Sequence, residues 1–182
     1  MGPHVCPWWQ AYVFDHPGRK LVQNPRNVVG PHVTPGMTAM DIGCGMGFFS
    51  IAMARMVGAA GTVVAVDVQH QMLDVLMKRA RRAGVADRIR TVNCRPDSLG
   101  VDEPVDFALA CYMMHEAAGP ARLLGQVRAC LTPGARFLIL EPGWHVPRKA
   151  FERTLELAEA AGLRVVDRRR TWMDRIALLE AS

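Results

Sequence analysis

The chain has 182 residues, with 22 Lys and Arg against 17 Asp and Glu for a formal charge of +5, and half of its residues are hydrophobic. That length suits a single domain, 1–182, able to bury about 70% of its unfolded surface without staples. No apolar run approaches the roughly 18 residues of a membrane span, no basic-then-apolar leader opens the chain, and five cysteines lack regular spacing. The expectation is a cytoplasmic protein with reduced thiols and no disulfide framework.

The elements follow in order. Residues 1–34 form an arm ahead of a core at 35–182, and the arm packs Trp8, Trp9, Tyr12, Phe14 and His16 into a short stretch. Asn24 and Pro25 make a helix start, one as cap and the other in the first turn. A strand at 37–42 runs into a glycine turn and a helix at 48–57 that ends at Gly58, and a second strand spans 62–67. The helix at 69–83 sets Met72, Val75 and Leu76 on one face and Lys78, Arg79, Arg81 and Arg82 largely on the other, stopping at Gly84. Strands are expected from 89 and from 105, a helix over 121–131, and a strand ending at Pro142. A helix at 151–161, stopped by Gly162, precedes strands at 163–167 and 175–180 joined by a polar connection.

Chemistry concentrates in the first turn. Glycine at 43, 45 and 47 removes side chains where a ligand must approach backbone, and Asp67 closes the next strand about 20 residues on, the spacing expected after one crossover helix. The dinucleotide fingerprint fails, because Phe48 stands where the third glycine would be, and no Walker pattern is present. Asp41 before the turn repels a diphosphate but suits an amino group or a sulfonium. These residues describe a nucleoside site without a pyrophosphate cradle.

The D-x-G-x-G-x-G loop from Asp41, the acidic end of the second strand, the segment 89–99, the strand running to His115 and the L-x-P-G-x-x-h-x-h-x-E run from Leu131 to Glu141 form an ordered series. In this series the chain resembles the class I S-adenosylmethionine-dependent methyltransferases along nearly all of its length after residue 35. The resemblance implies an α/β, doubly wound, mostly parallel seven-stranded sheet of Rossmann-like methyltransferase type with an antiparallel C-terminal strand. It implies S-adenosyl-L-methionine as cofactor and S-adenosyl-L-homocysteine as product. Cofactor contacts fall on Asp41, Gly43, Cys44, Gly45, Gly47, Phe48, Asp67, Val68, Gln69, Met72, Arg95, Asp97, Ser98 and Cys111. Arg95 stands where the family usually offers an aspartate, which leaves Asp97 or Ser98 for the adenine amino group.

Because the cofactor carries its own leaving group, the protein mainly positions an acceptor behind the methyl. His115 is the candidate catalytic base, with Glu116 orienting it or binding a cationic substrate, and a cap or packing role is its structural alternative. Trp8, Trp9, Tyr12 and His16 of the arm, as a lid, and His115, Glu141, Trp144 and His145 are candidates for the acceptor pocket; the arm's aromatics equally suit covering the sheet. The preferred acceptor is a small molecule, with no membrane partner. A non-catalytic S-adenosylmethionine sensor or partner subunit is the rival from another class. A thiophilic metalloid acceptor near Cys44, Cys94 and Cys111 is a minor reading, and no C-x-x-C or H-x-x-x-H spacing supports a metal site. RNA is another, resting on the basic runs 78–82 and 168–170, which also read as a solvated helix face and a solvated strand connection.

Overall fold

The computed structural model describes Gly18 and residues 23–182. Trp8, Trp9, Tyr12 and His16 of the expected lid lie outside the described residues, as does Cys6. The chain divides into two compact units, one running up to Cys94 and one from Arg95 to Ser182.

In the first unit, α1 (Pro25–Val28) leads to β1 (Thr38–Ile42), α2 (Phe48–Val57), β2 (Thr62–Asp67), α3 (His70–Arg82) and β3 (Ile89–Asn93). Asn24 caps α1 as expected, its Oδ1 accepting the Arg26 N–H at 3.0 Å, and Pro25 opens the helix. The strands lie in the order β3-β2-β1, both pairs parallel, with Met40 opposite Val64 and Ala65 opposite Thr91. After their first residues β1 and β2 are buried throughout. Strands covered on both faces need near-continuous apolar sequence, which these have. On α3 the buried stripe is Met72, Leu73, Leu76 and Ala80, while Val75 is half-buried. Lys78, Arg81 and Arg82 are exposed as expected; Arg79 is half-buried, and its guanidinium donates to the Met46 carbonyl at 3.4 Å.

The second unit holds β4 (Val105–Cys111), α4 (Pro120–Cys130), β5 (Leu131–Pro142), α5 (Arg148–Ala160), β6 (Leu163–Arg170) and β7 (Asp174–Ala181). Its strand order is β4-β5-β7-β6, with β4 and β5 parallel and β7 antiparallel to both of its neighbours. The seven strands thus make the mixed, Rossmann-like arrangement expected from the sequence. One reading is corrected: Arg168, Arg169 and Arg170 belong to β6, opposite Ala177, Ile176 and Arg175, rather than to the connection. An edge strand tolerates such charge because one side faces water, and here Arg168 pairs with Glu152 at 2.7 Å and Arg169 with Asp167 at 2.6 Å. Helix α5 starts three residues before the expected 151, after Pro147 in an extended conformation that suits the entry to a helix. Among the described residues no helix is long and apolar enough to cross a membrane.

Two glycines of the first turn separate folding from ligand access. Gly47 caps α2 at φ +84°, and a Cβ placed there would lie 2.6 Å from Leu76 Cγ. Gly45 has φ +51°, and a Cβ there would meet nothing within 4 Å. Gly47→Ala is therefore expected to lower stability by about 2–4 kcal/mol, strain and clash combined. Gly45→Ala carries only the strain of its backbone, about 1 kcal/mol. Denaturant unfolding of the two variants checks the order, which equal losses would contradict.

Candidate functional site

The turn after β1 is wired to the end of β2. Gly43 N–H and Cys44 N–H both donate to the Val66 carbonyl, at 2.8 and 3.0 Å. Asp67, 7% exposed, accepts the Gly45 N–H on Oδ2 and the Gln69 N–H on Oδ1, both at 2.9 Å. Burial pushes its carboxyl above the usual carboxylate value of 3.8, and the amides of Gln69, Gly45 and Val68 pull the other way. One carboxylate thus fixes the glycine turn and the entry to α3, and it keeps acceptor capacity for a further donor. Asn93, at the end of β3, donates through Nδ2 to the carbonyls of Asp67 and Val68 at 3.0 Å each. Asp41, 2% exposed, accepts from Ser50 Oγ at 2.5 Å and so ties β1 to the first coil of α2. Val68 is exposed, Met72 is buried, and Phe48 packs edge-on against Phe49 with ring centroids 5.0 Å apart.

The thiols here are held neutral. Burial raises Cys44 well above its ordinary value, with Asp41 and Asp67 adding to the effect, and burial followed by Asp67 takes Cys94 up to about 11. Soft metals are held by thiolates, so this environment opposes the metalloid reading. Among the described residues, no group of three or more His, Cys, Asp and Glu could hold a metal ion, and Cys44, Cys94, Cys111 and Cys130 are not in disulfides.

In the second unit, Arg95 and Ser98 close a tight turn by exchanging backbone hydrogen bonds at 3.1 Å, with Pro96 and Asp97 at its tip. Cys111 is the last residue of β4. Next to it Tyr112, at φ +59°, is the one non-glycine residue with positive φ among the described residues. Its N–H donates to the Leu140 carbonyl at 2.9 Å and its hydroxyl donates to buried Asp174. Strained backbone of this kind persists only where its surroundings hold it. A single 3-10 turn, Met114–Glu116, then presents His115.

Glu141, near the end of β5 and 1% exposed, organises that histidine. Its Oε1 accepts the Met114 N–H at 2.9 Å and its Oε2 meets His115 Nδ1 at 2.5 Å. The imidazole is 21% exposed, and its Nε2 lies 3.9 Å from Glu116 Oε1. The hydrogen bond from Glu141 raises His115 above its ordinary value of 6.5; burial opposes this, and the charges of Glu141 and Glu116 add to it. The hydrogen bond to the ring thus comes from Glu141, on a distant strand, and not from the neighbouring Glu116. His145 packs against His115 with centroids 5.1 Å apart, and Trp144, 65% exposed, lies 5.5 Å from His145.

These geometries meet a family signature. Residues 39–134, more than half of the chain, match the family described as Methyltransferase domain. The chain belongs to the class I S-adenosylmethionine-dependent methyltransferases. Among relatives of this methyltransferase domain, the ubiquinone/menaquinone biosynthesis C-methyltransferase UbiE of Haemophilus ducreyi is 30% identical over 110 residues, 60% of this chain and 42% of that protein. The UbiE of Idiomarina loihiensis is 28% identical over 134 residues, 73% of this chain and 48% of that one. The chain thus spans less than half the length of these curated relatives. A SAM-dependent methyltransferase from Aquifex aeolicus superposes with a TM-score of 0.87 at 23% identity, covering 98% of this chain and all of the other.

An adenosyl cofactor fits what the first unit offers. Open space beside Gly45 admits a ligand against backbone, and the lone pairs of Asp67 suit a vicinal diol. No local pattern in the sequence marks Ser50, Tyr112 or Asp174 as supports. Ser50 lies nine residues from Asp41 and Asp174 lies 62 residues from Tyr112, distances at which no local pattern shows a pair.

Proposed function

We propose that this domain transfers the methyl group of S-adenosylmethionine to a small-molecule acceptor, with His115 receiving the acceptor's proton. The observation that carries the reading is Asp67 held between the amides of Gly45 and Gln69 at the open glycine turn of a methyltransferase domain. When bound, S-adenosylmethionine supplies an electrophilic methyl group on a sulfonium. Asp67 would accept from the ribose hydroxyls, and the turn at 43–47 would hold the amino-acid portion. An acceptor that gains the methyl at oxygen, nitrogen or carbon loses a proton, and His115 Nε2 takes it. Glu141 keeps Nδ1 protonated and balances the imidazolium charge that results. The name of the UbiE relatives, C-methyltransferases of quinone biosynthesis, supports a small molecule over a macromolecule.

Two measurements test the proposal. Calorimetry with S-adenosylhomocysteine should give saturable one-to-one binding. Incubation with methyl-labelled donor and a small-molecule extract should place label in a discrete product, and His115→Ala should suppress that transfer. Binding with no labelled product from any extract favours a non-catalytic sensor, and no binding removes the donor reading altogether.

A further inference from the structure

Three side chains one turn apart on α4 reach three points of the segment 97–101. Arg122 Nη1 lies 4.0 Å from the Asp97 carboxylate. Gln126 Oε1 accepts the Leu99 N–H at 2.6 Å while its Nε2 donates to the Asp97 carbonyl at 3.0 Å. Cys130 Sγ donates to the Val101 carbonyl at 3.0 Å. Spacing of four places all three on one face of the helix, and that face runs along the segment as a rail. The three contacts are unequal. Arg122 and Asp97 are about two-thirds exposed, 66% and 65%, so their pairing is screened by water. A thiol is a weak donor. Gln126 alone makes two conventional hydrogen bonds, and they grip the backbone on either side of Ser98.

That grip falls on the turn for which the resemblance implies contacts to an adenine. Arg95 and Ser98 use their N–H and C=O groups on one another, so the turn's internal bonds fix its width but not its seat on the rest of the unit. Leu99, 3% exposed, anchors the following residue in the core. Gln126 joins the two by holding the Asp97 carbonyl and the Leu99 amide with one side-chain amide, which restrains the backbone that carries the Asp97 carboxylate.

We infer that Gln126 is a positioning residue that presets the turn at 95–98 to recognise the 6-amino group of an adenine, an inference that rests on the proposed adenosyl donor. A carboxylate held in place accepts from an exocyclic amine and repels the carbonyl that hypoxanthine presents at the same position. Selectivity of this kind depends on a fixed acceptor, since a mobile one turns away from the wrong ligand at little cost.

The test compares S-adenosylhomocysteine with S-inosylhomocysteine by calorimetry on the whole chain. Wild type should prefer the adenosyl ligand. Gln126→Leu should weaken the adenosyl ligand about tenfold, as expected for a lost pair of hydrogen bonds, leave the inosyl ligand nearly unchanged, and speed exchange of the Leu99 amide. Gln126→Glu keeps an acceptor for Leu99 but sets a carboxylate oxygen against the Asp97 carbonyl; it should fall between the two, and it carries the test should the leucine variant fold poorly. An unchanged adenosyl preference in the folded variants overturns the role of Gln126 while the donor reading stands. Failure of wild type to bind either ligand overturns both.

Discussion

Asp67→Asn is expected to weaken S-adenosylhomocysteine binding by about 100-fold, corresponding to the loss of charge-assisted hydrogen bonds of about 3 kcal/mol in all. The carboxylate now accepts two backbone amides at 2.9 Å, one on each oxygen. An asparagine offers a single oxygen, so one of Gly45 and Gln69 would face an NH2 group, donor against donor. The turn then shifts, and the ribose loses the charged acceptor proposed for it. The acid limb of binding gives an independent check. Burial raises the Asp67 carboxyl above 3.8, so in wild type the ionised acceptor is lost at a higher pH than for an ordinary carboxylate. Affinity should fall as the solution is made mildly acidic, and the asparagine variant should show no such fall. Stability should respond the other way. A raised carboxyl value favours the folded state most below 3.8, and that contribution is lost as pH rises through the folded value. Equal affinity in the two proteins, or the same acid limb in both, would contradict the assignment.

The glycine turn could be read from the chain because its physics is local. Gly43, Gly45 and Gly47 adopt φ of +66°, +51° and +84°, a region L-residues avoid, and Asp67 ends a strand whose apolar run is visible in the sequence. The parallel strands were legible for the same reason, since burial on both faces writes itself as continuous apolar sequence. The final strand pair was legible in existence but not in length, because β6 is an edge strand whose last residues are three arginines, and charge there reads as loop. The histidine's orientation was not legible at all. His115 and Glu141 lie 26 residues apart, and Glu116 beside it in sequence was the natural candidate. Only the end of β5 brings a buried carboxylate under the ring. The thiols gave the opposite lesson, for three cysteines near strand ends suggested a soft-metal site, while the carboxylates and burial around Cys44 and Cys94 hold these two neutral.

Glu141→Gln should reduce methyl transfer to an acceptor that must lose a proton by about 100-fold, within the usual range for general-base catalysis, while leaving S-adenosylhomocysteine binding in place. The substitution keeps the shape of the side chain and an acceptor for the Met114 N–H. What it changes is the partner of His115 Nδ1. If the amide oxygen stays with Met114, the NH2 group faces Nδ1 and makes that nitrogen the acceptor. The ring proton then moves to Nε2, and the nitrogen meant to take a proton carries one. The same change removes the main cause of the raised imidazole value, so the ring should titrate lower than in wild type. In wild type the transfer rate should rise with pH through a midpoint above 6.5, because only the neutral imidazole accepts. The variant's residual rate should have its midpoint shifted down. Folding stability carries the matching sign: the pair between His115 and Glu141 contributes fully below about 6.5, and that contribution is lost as pH rises through the folded value, so the stability gap between wild type and variant should narrow toward alkaline pH. Ring titration of His115 by NMR decides the matter before any acceptor is known. A titration midpoint that Glu141→Gln leaves unmoved would show that the carboxylate does not govern the imidazole.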